Sequence, residues 1–95
     1  MQTETQFFKE QENDANSTGY LWNGRIANIL AEGTWDGATL KMQVQYTSSG
    51  EWVDFLTFTA DDFAIIKNLL PGFNIRFNVS GAGLSTSLTV NMLKA

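Results

Sequence analysis

A chain of 95 residues, 43% of them hydrophobic and 13% aromatic, is long enough for one folded domain with its own core. It contains neither His nor Cys, which excludes disulfides, catalytic thiolates, histidine bases and every zinc site built from these residues. Its net charge is −4 and its six Lys and Arg residues are scattered, so we expect no nucleic-acid partner.

Residues 1–19 are predicted to form a polar N-terminal arm. They are mostly Gln, Glu, Thr, Asn, Asp and Ser. Such a composition buries too little apolar area to offset the entropy of ordering it, so we expect a flexible segment. Only Phe7 and Phe8 interrupt the polarity. Their side chains are candidate anchors on a partner, and the alternative is a frayed terminus.

Residues 20–95 are predicted to form a β-sandwich domain. After a turn at Asn23-Gly24, residues 25–32 are apolar on both faces, as in a central strand. A second turn at Asp36-Gly37 precedes strict alternation of apolar and polar residues over 38–46. This period of two is typical of a strand with one face in a core and the other in water.

The strand at 38–46 has a predicted inner and outer face. Met42 and Val44 are expected to face the core, and Lys41 and Gln43 are expected to face solvent. The next residues, 47–50, are predicted to form a hairpin loop.

Three further strands are predicted, at residues 51–58, 73–80 and 84–92. Trp52 in the first of these is expected in the core. The second and third alternate between apolar and polar residues, and the Gly-Ala-Gly sequence at 81–83 is expected to be the turn between them.

The segment 59–70 allows two interpretations. A capping box beginning at Thr59 and an apolar face from Phe63 to Leu70 fit a helix that stops at Pro71. A turn at Asp61-Asp62 followed by a strand over 64–70 is the competing interpretation.

These elements predict an all-β fold. About six to eight short strands with Gly-containing turns are typical of an antiparallel β-sandwich, jelly-roll or immunoglobulin-like, or of a barrel. The polar segment would extend from it as an N-terminal arm.

No group of residues predicts catalysis, a cofactor or a metal ion, so we expect no enzyme. Asp61-Asp62 could belong to a Ca²⁺ site or a carboxylate pair, but the further spaced oxygen ligands are missing, which favours a turn. Trp22, Trp35 and Trp52 could stack on a sugar ring, and the competing interpretation is burial in the core. Trp35 lies beside a turn and is therefore the candidate partner-binding residue among the three.

Membrane association and secretion are not expected either. No apolar run approaches the ~20 residues that a spanning helix needs, and the N-terminus lacks the core of a signal peptide.

Four segments resemble a pattern found in small virion β-sandwich proteins of tailed bacteriophages. They are GTWDGATLKMQV at 33–44, GEWVD at 50–54, LPGFNIRFNVSGA at 70–82 and STSLTV at 85–90. The resemblance covers roughly residues 25–92. In that pattern the segment before the Pro is a strand, which favours the strand interpretation of 64–70.

The resemblance implies a structural component of a phage particle. The expected role is a capsid decoration or cement protein that binds the major capsid protein on the outer shell and stabilises it, as a trimer or dimer. Such a protein would be made in the host cytoplasm and end on the capsid surface. The alternatives are a head-fibre or tail component and, from another class, a carbohydrate-binding β-sandwich module.

Overall fold

The computed structural model describes residues 3–46 and 50–95. The predicted loop at 47–50 therefore lies outside the described residues, apart from Gly50. The described residues form nine strands: β1 (Thr3–Gln11), β2 (Ala15–Asn16), β3 (Tyr20–Leu21), β4 (Ala27–Thr34), β5 (Thr39–Tyr46), β6 (Val53–Phe58), β7 (Asp62–Ile66), β8 (Phe73–Ser80) and β9 (Ser87–Lys94). No described segment is a helix that could cross a membrane.

The strands form two antiparallel sheets that pack face to face. The first sheet has the order β1-β9-β4-β7. The second has the order β2-β8-β5-β6, and β3 pairs with β8 beside β2. The chain changes sheet at most of its connections, so strands that are distant in sequence become neighbours. The predicted antiparallel β-sandwich is confirmed.

The core lies between the sheets and consists of alternate side chains of the inner strands. The largest fully buried ones on β4, β5, β8 and β9 are Ile29, Leu40, Met42, Ile75, Phe77, Val79, Leu88, Val90 and Met92. The predicted faces of β5 and β8 are therefore right, although Val44 is only half-buried. The last strand begins at Ser87 rather than at the predicted Leu84, which lies in the preceding turn and is fully exposed.

The segment after Asp61 is a strand, not a helix. β7 pairs with β4, with Ile29 opposite Ala64 and Leu30 opposite Phe63. It ends at Ile66, earlier than the sequence predicts. Pairing along β4 decides between the two interpretations, because only an extended chain can satisfy the edge of that strand.

The first residues of the chain form a sheet strand rather than a flexible arm. β1 pairs with β9 from Thr3 opposite Lys94 to Gln11 opposite Leu88. The expectation of flexibility is wrong for this strand. Its backbone hydrogen bonds to β9 and the burial of its apolar side chains offset the entropy that is lost when its polar residues are ordered.

A bulge explains how two consecutive Phe residues both reach the core. The register of β1 against β9 shifts between Gln6 and Phe8, which leaves Phe7 as the extra residue. Phe8 belongs to the buried core and Phe7 packs against it. The Phe7 ring lies 4.8 Å from that of Phe77, centroid to centroid.

Gly33 lies at a close approach of β4 and β9. It pairs with Leu88 and has a φ of 138°. A Cβ added there would lie 2.0 Å from the backbone oxygen of Ser87. Only glycine fits this position, because both the conformation and the contact exclude a side chain.

Replacing Phe8 with Ala is expected to destabilise the domain by about 3–5 kcal/mol, because it leaves a cavity beneath β1. Urea unfolding followed by tryptophan fluorescence measures the change. Phe55→Ala is the matched control, since Phe55 is 45% exposed against 6% for Phe8. Equal losses for the two variants would contradict the placement of β1 in the sheet.

Replacing Gly33 with Ala is expected to cost about 3 kcal/mol or more, through backbone strain and displacement of β9. Gly19→Ala serves as the control, because a Cβ there meets nothing closer than a Trp52 ring atom at 4.0 Å. Thermal melts of the two variants make the comparison. Equal melting temperatures for the two variants would show that β4 and β9 lie farther apart than in this structure.

Candidate functional site

The outer surface of the first sheet carries an exposed apolar patch. Leu30, Phe63, Ile65 and Leu93 form it, and their side chains are 43, 63, 59 and 36% exposed. We call these four residues the apolar face. They are neighbours because β4 lies between β7 and β9, which places Leu30 opposite Phe63. Contiguous exposed apolar surface of this kind marks interaction sites on soluble proteins.

A shallow groove of about 380 Å³ runs across the apolar face. Its polar lining comes from Glu4, Asn28 and Asn91. The Oδ1 atom of Asn91 is buried and accepts no hydrogen bond from the described residues. A buried acceptor without a partner is costly to the folded state.

The same outer surface is acidic near Gly33 and Thr34, at the C-terminal end of β4. A second groove of about 410 Å³ is lined by Glu10, Glu32 and Asp61 together with backbone and hydroxyl groups. The outer surface of this sheet therefore combines an apolar half with an acidic half.

The candidate residues of the N-terminal segment lie inside the sandwich. Phe8 is 6% exposed and Phe7 is half-buried, with its ring edge-on to Tyr20 at 6.2 Å. In this structure the core of the chain itself covers both rings.

The three Trp residues do not form one platform. Trp22 is 1% exposed, and its indole N–H donates to the carbonyl of Leu69. The guanidinium of Arg76 lies 4.3 Å from the centre of the Trp52 ring, so Trp52 packs on the outside of the second sheet rather than in the core. Trp35, the third candidate, is half-buried and its N–H donates to Asp61 Oδ1 at 2.8 Å.

Three Asp residues hold turns together through backbone N–H groups. Asp61 Oδ1 accepts from Gly33 at 3.0 Å, Asp36 accepts from Ser85, and Asp14 accepts from Ala82. Within 3–46 and 50–95, no group of three or more acidic residues is arranged to hold a metal ion. These carboxylates fix loop conformations at one end of the sandwich.

The outer surface of the second sheet is a hydrogen-bonded polar network. Gln43 accepts from Arg76 Nε at 2.8 Å and donates to Asp54 at 2.9 Å. Lys41 forms an ion pair with Asp54 at 3.1 Å. In the next row, Asn74 donates to Gln45 at 3.2 Å. These polar groups form hydrogen bonds with one another, whereas the side chains of the apolar face are exposed and uncovered.

The network changes the acidity of one carboxyl group. The hydrogen bond from Gln43, followed by that from Lys41, holds the pKa of Asp54 below its ordinary value of 3.8. A lowered pKa means that the ionised form is favoured in the folded state. The stability gained from this interaction is present above pH 3.8 and is lost as the pH falls through the lowered pKa.

The residues of the apolar face were visible in the sequence but were interpreted differently. Leu30 belongs to a segment that is apolar on both faces, which predicts a strand covered on both sides. The structure covers only the inner side of β4. A sheet surface without a covering layer cannot be read from one strand, because it depends on what the rest of the chain leaves uncovered.

Replacing Gln43 with Leu is expected to raise the pKa of Asp54 towards 3.8, since the largest cause of its depression is removed. Titration of the carboxyl carbon by NMR measures the change. Gln45→Leu is the control, because Gln45 bonds to Asn74 and not to Asp54. A pKa that shifts equally in both variants would contradict the assigned hydrogen bond.

Comparisons with known proteins include a similarity to a solved structure. No family model matches the chain, and no curated protein sequence matches it. The crystal structure of the SPBc2 prophage-derived protein YomS superimposes with a TM-score of 0.73 at 13% sequence identity. The match covers 99% of this chain and 92% of that one. At this identity the similarity shows a shared fold, which spans nearly the whole of both chains.

Proposed function

We propose that this chain is a structural protein of a bacteriophage particle. The observation that carries the proposal is the fold, which is shared over nearly its full length with a prophage-derived protein. The sequence segments that resemble small virion sandwich proteins support the same setting. They include the turn and strand at 33–44 and the strand that begins after Pro71.

Within that setting, the role we propose is capsid decoration. A decoration or cement protein binds the major capsid protein from outside and stabilises the shell by bridging subunits. The apolar face suits this role, because burying exposed Leu, Ile and Phe side chains favours binding by about 25 cal/mol per Å². Many copies on one shell, or a dimer or trimer that binds several sites at once, would turn modest contacts into stable attachment.

The rigidity of the sandwich also supports a mechanical role. Turns tied by Asp14, Asp36 and Asp61 and a fully buried inner face leave a stiff body that can span a junction. The role needs no catalysis, cofactor, nucleic acid or membrane. A head-fibre or tail position remains the alternative within the particle.

We expect the protein to bind purified particles that lack it. Leu93→Glu should reduce occupancy at least tenfold, because it places a charge in the apolar face. Leu84→Glu is the matched control, since Leu84 is fully exposed in the β8–β9 turn. Quantitative mass spectrometry of sedimented particles gives the occupancy, and circular dichroism checks that both variants are folded.

The position on the particle tests the specific role. Electron microscopy of particles with full occupancy should show density over the outer shell, and particles lacking the protein should release DNA at a lower temperature. Density only on fibres or the tail would replace the decoration role with the alternative. Absence of binding to any part of the particle would contradict the proposal as a whole.

A further inference from the structure

Strand β7 is an exposed sheet edge with no protection against pairing. It is the last strand of the first sheet, and β4 is its only neighbour among the described strands. After Asp62, the remaining residues of the strand, 63–66, are Phe-Ala-Ile-Ile, with no charge and no Pro. Unpaired edges of this composition readily accept another strand, and natural proteins normally block them.

The other three edges of the sandwich are blocked in the usual ways. β1 has two register shifts and carries Lys9 and Glu10. β6 has a register shift and bears the Asp54–Lys41 ion pair. The fourth edge is divided into β2 and β3, which have two residues each. This contrast indicates that the open edge of β7 takes part in an interaction with another strand.

We infer that β7 pairs antiparallel with β7 of a second copy of this chain. The inference extends the proposed function and rests on its expectation of an oligomer. A two-fold axis beside Ala64 would place Phe63 opposite Ile65 of the other copy, and Ile65 opposite its Phe63. Opposed residues in an antiparallel pair lie on the same side of the sheet, so both apolar pairs would lie on the outer surface.

Charge complementarity selects this register. With the axis beside Ala64, Asp61 of each copy lies opposite Lys67 of the other, which gives two opposite-charge pairs just beyond the ends of β7. An axis beside Phe63 would place Asp61 opposite Ile65. An axis beside Ile65 would place Phe63 opposite Lys67. Of the three registers, only the first pairs Phe63 with Ile65 and Asp61 with Lys67; it also places Asp62 opposite Ile66, on the inner side of the sheet.

The dimer would join the two apolar faces into one surface. The first sheets would become a continuous eight-stranded sheet, with the order β1-β9-β4-β7 followed by its reverse. Leu30 and Leu93 of each copy would lie on either side of the new Phe63–Ile65 pairs. This doubles the apolar area that can face a symmetric partner, and such closed pairing also removes the open edges.

Sedimentation of the free protein over a concentration series tests the inference, and the expected mass is that of a dimer. Ile65→Lys should raise the dissociation constant at least tenfold, because it places two charges at the ladder. Leu93→Lys is the matched control: it makes the same kind of change on the same face, two strands away from the edge, and should leave the dimer intact.

A disulfide test fixes the register. The chain has no Cys, so Ala64→Cys introduces a single thiol that the two-fold axis places opposite itself. Mild oxidation should link most of the chains as dimers. Thr57→Cys, on the exposed edge strand β6, should remain unlinked.

Three results would overturn the inference: a monomer or trimer at every concentration, equal weakening by Ile65→Lys and Leu93→Lys, or equal crosslinking of the two Cys variants. The experiments use free protein without particles. If the free protein does not form this dimer, the proposal that it binds particles is unaffected. If it forms the dimer but binds no particle, only the proposed function is refuted.

Discussion

The pairing of β9 with both β1 and β4 is the interaction on which the rest of the sandwich depends. β9 is the last described strand, and it lies between β1 and β4 in the first sheet. Its inward side chains Leu88, Val90 and Met92 are fully buried. The requirement for Gly33 follows from how closely β4 approaches it, and the bulge at Phe7 lies in its pairing with β1.

The two outer surfaces of the sandwich have opposite character. On the second sheet, Lys41, Gln43, Asp54 and Arg76 bond to one another, so this surface is already satisfied. On the first sheet, exposed apolar groups leave free energy to be gained by covering them. This difference, rather than any reactive group, gives the molecule a binding side.

The acidic residues of the turns illustrate why residue type alone does not identify a site. Asp61 lies next to Asp62, which in sequence suggests a carboxylate pair or a cation ligand. In the structure its oxygen accepts from Gly33 and from the indole of Trp35, so the carboxylate connects two turns. The features left to account for a function are the exposed edge of β7 and the apolar face.

The sequence by itself determined the periodic elements. The alternation at Met42 in β5 and Ile75 in β8 assigns their inner faces, because a period of two follows from strand geometry without reference to neighbours. The tertiary structure decided what depends on partners distant in the chain. Phe8 is buried because β1 finds β9, about eighty positions away, and β7 is extended because β4 offers it a ladder. Leu30 and Phe63 form a common surface only because the sheet order brings them together and leaves their outer side uncovered.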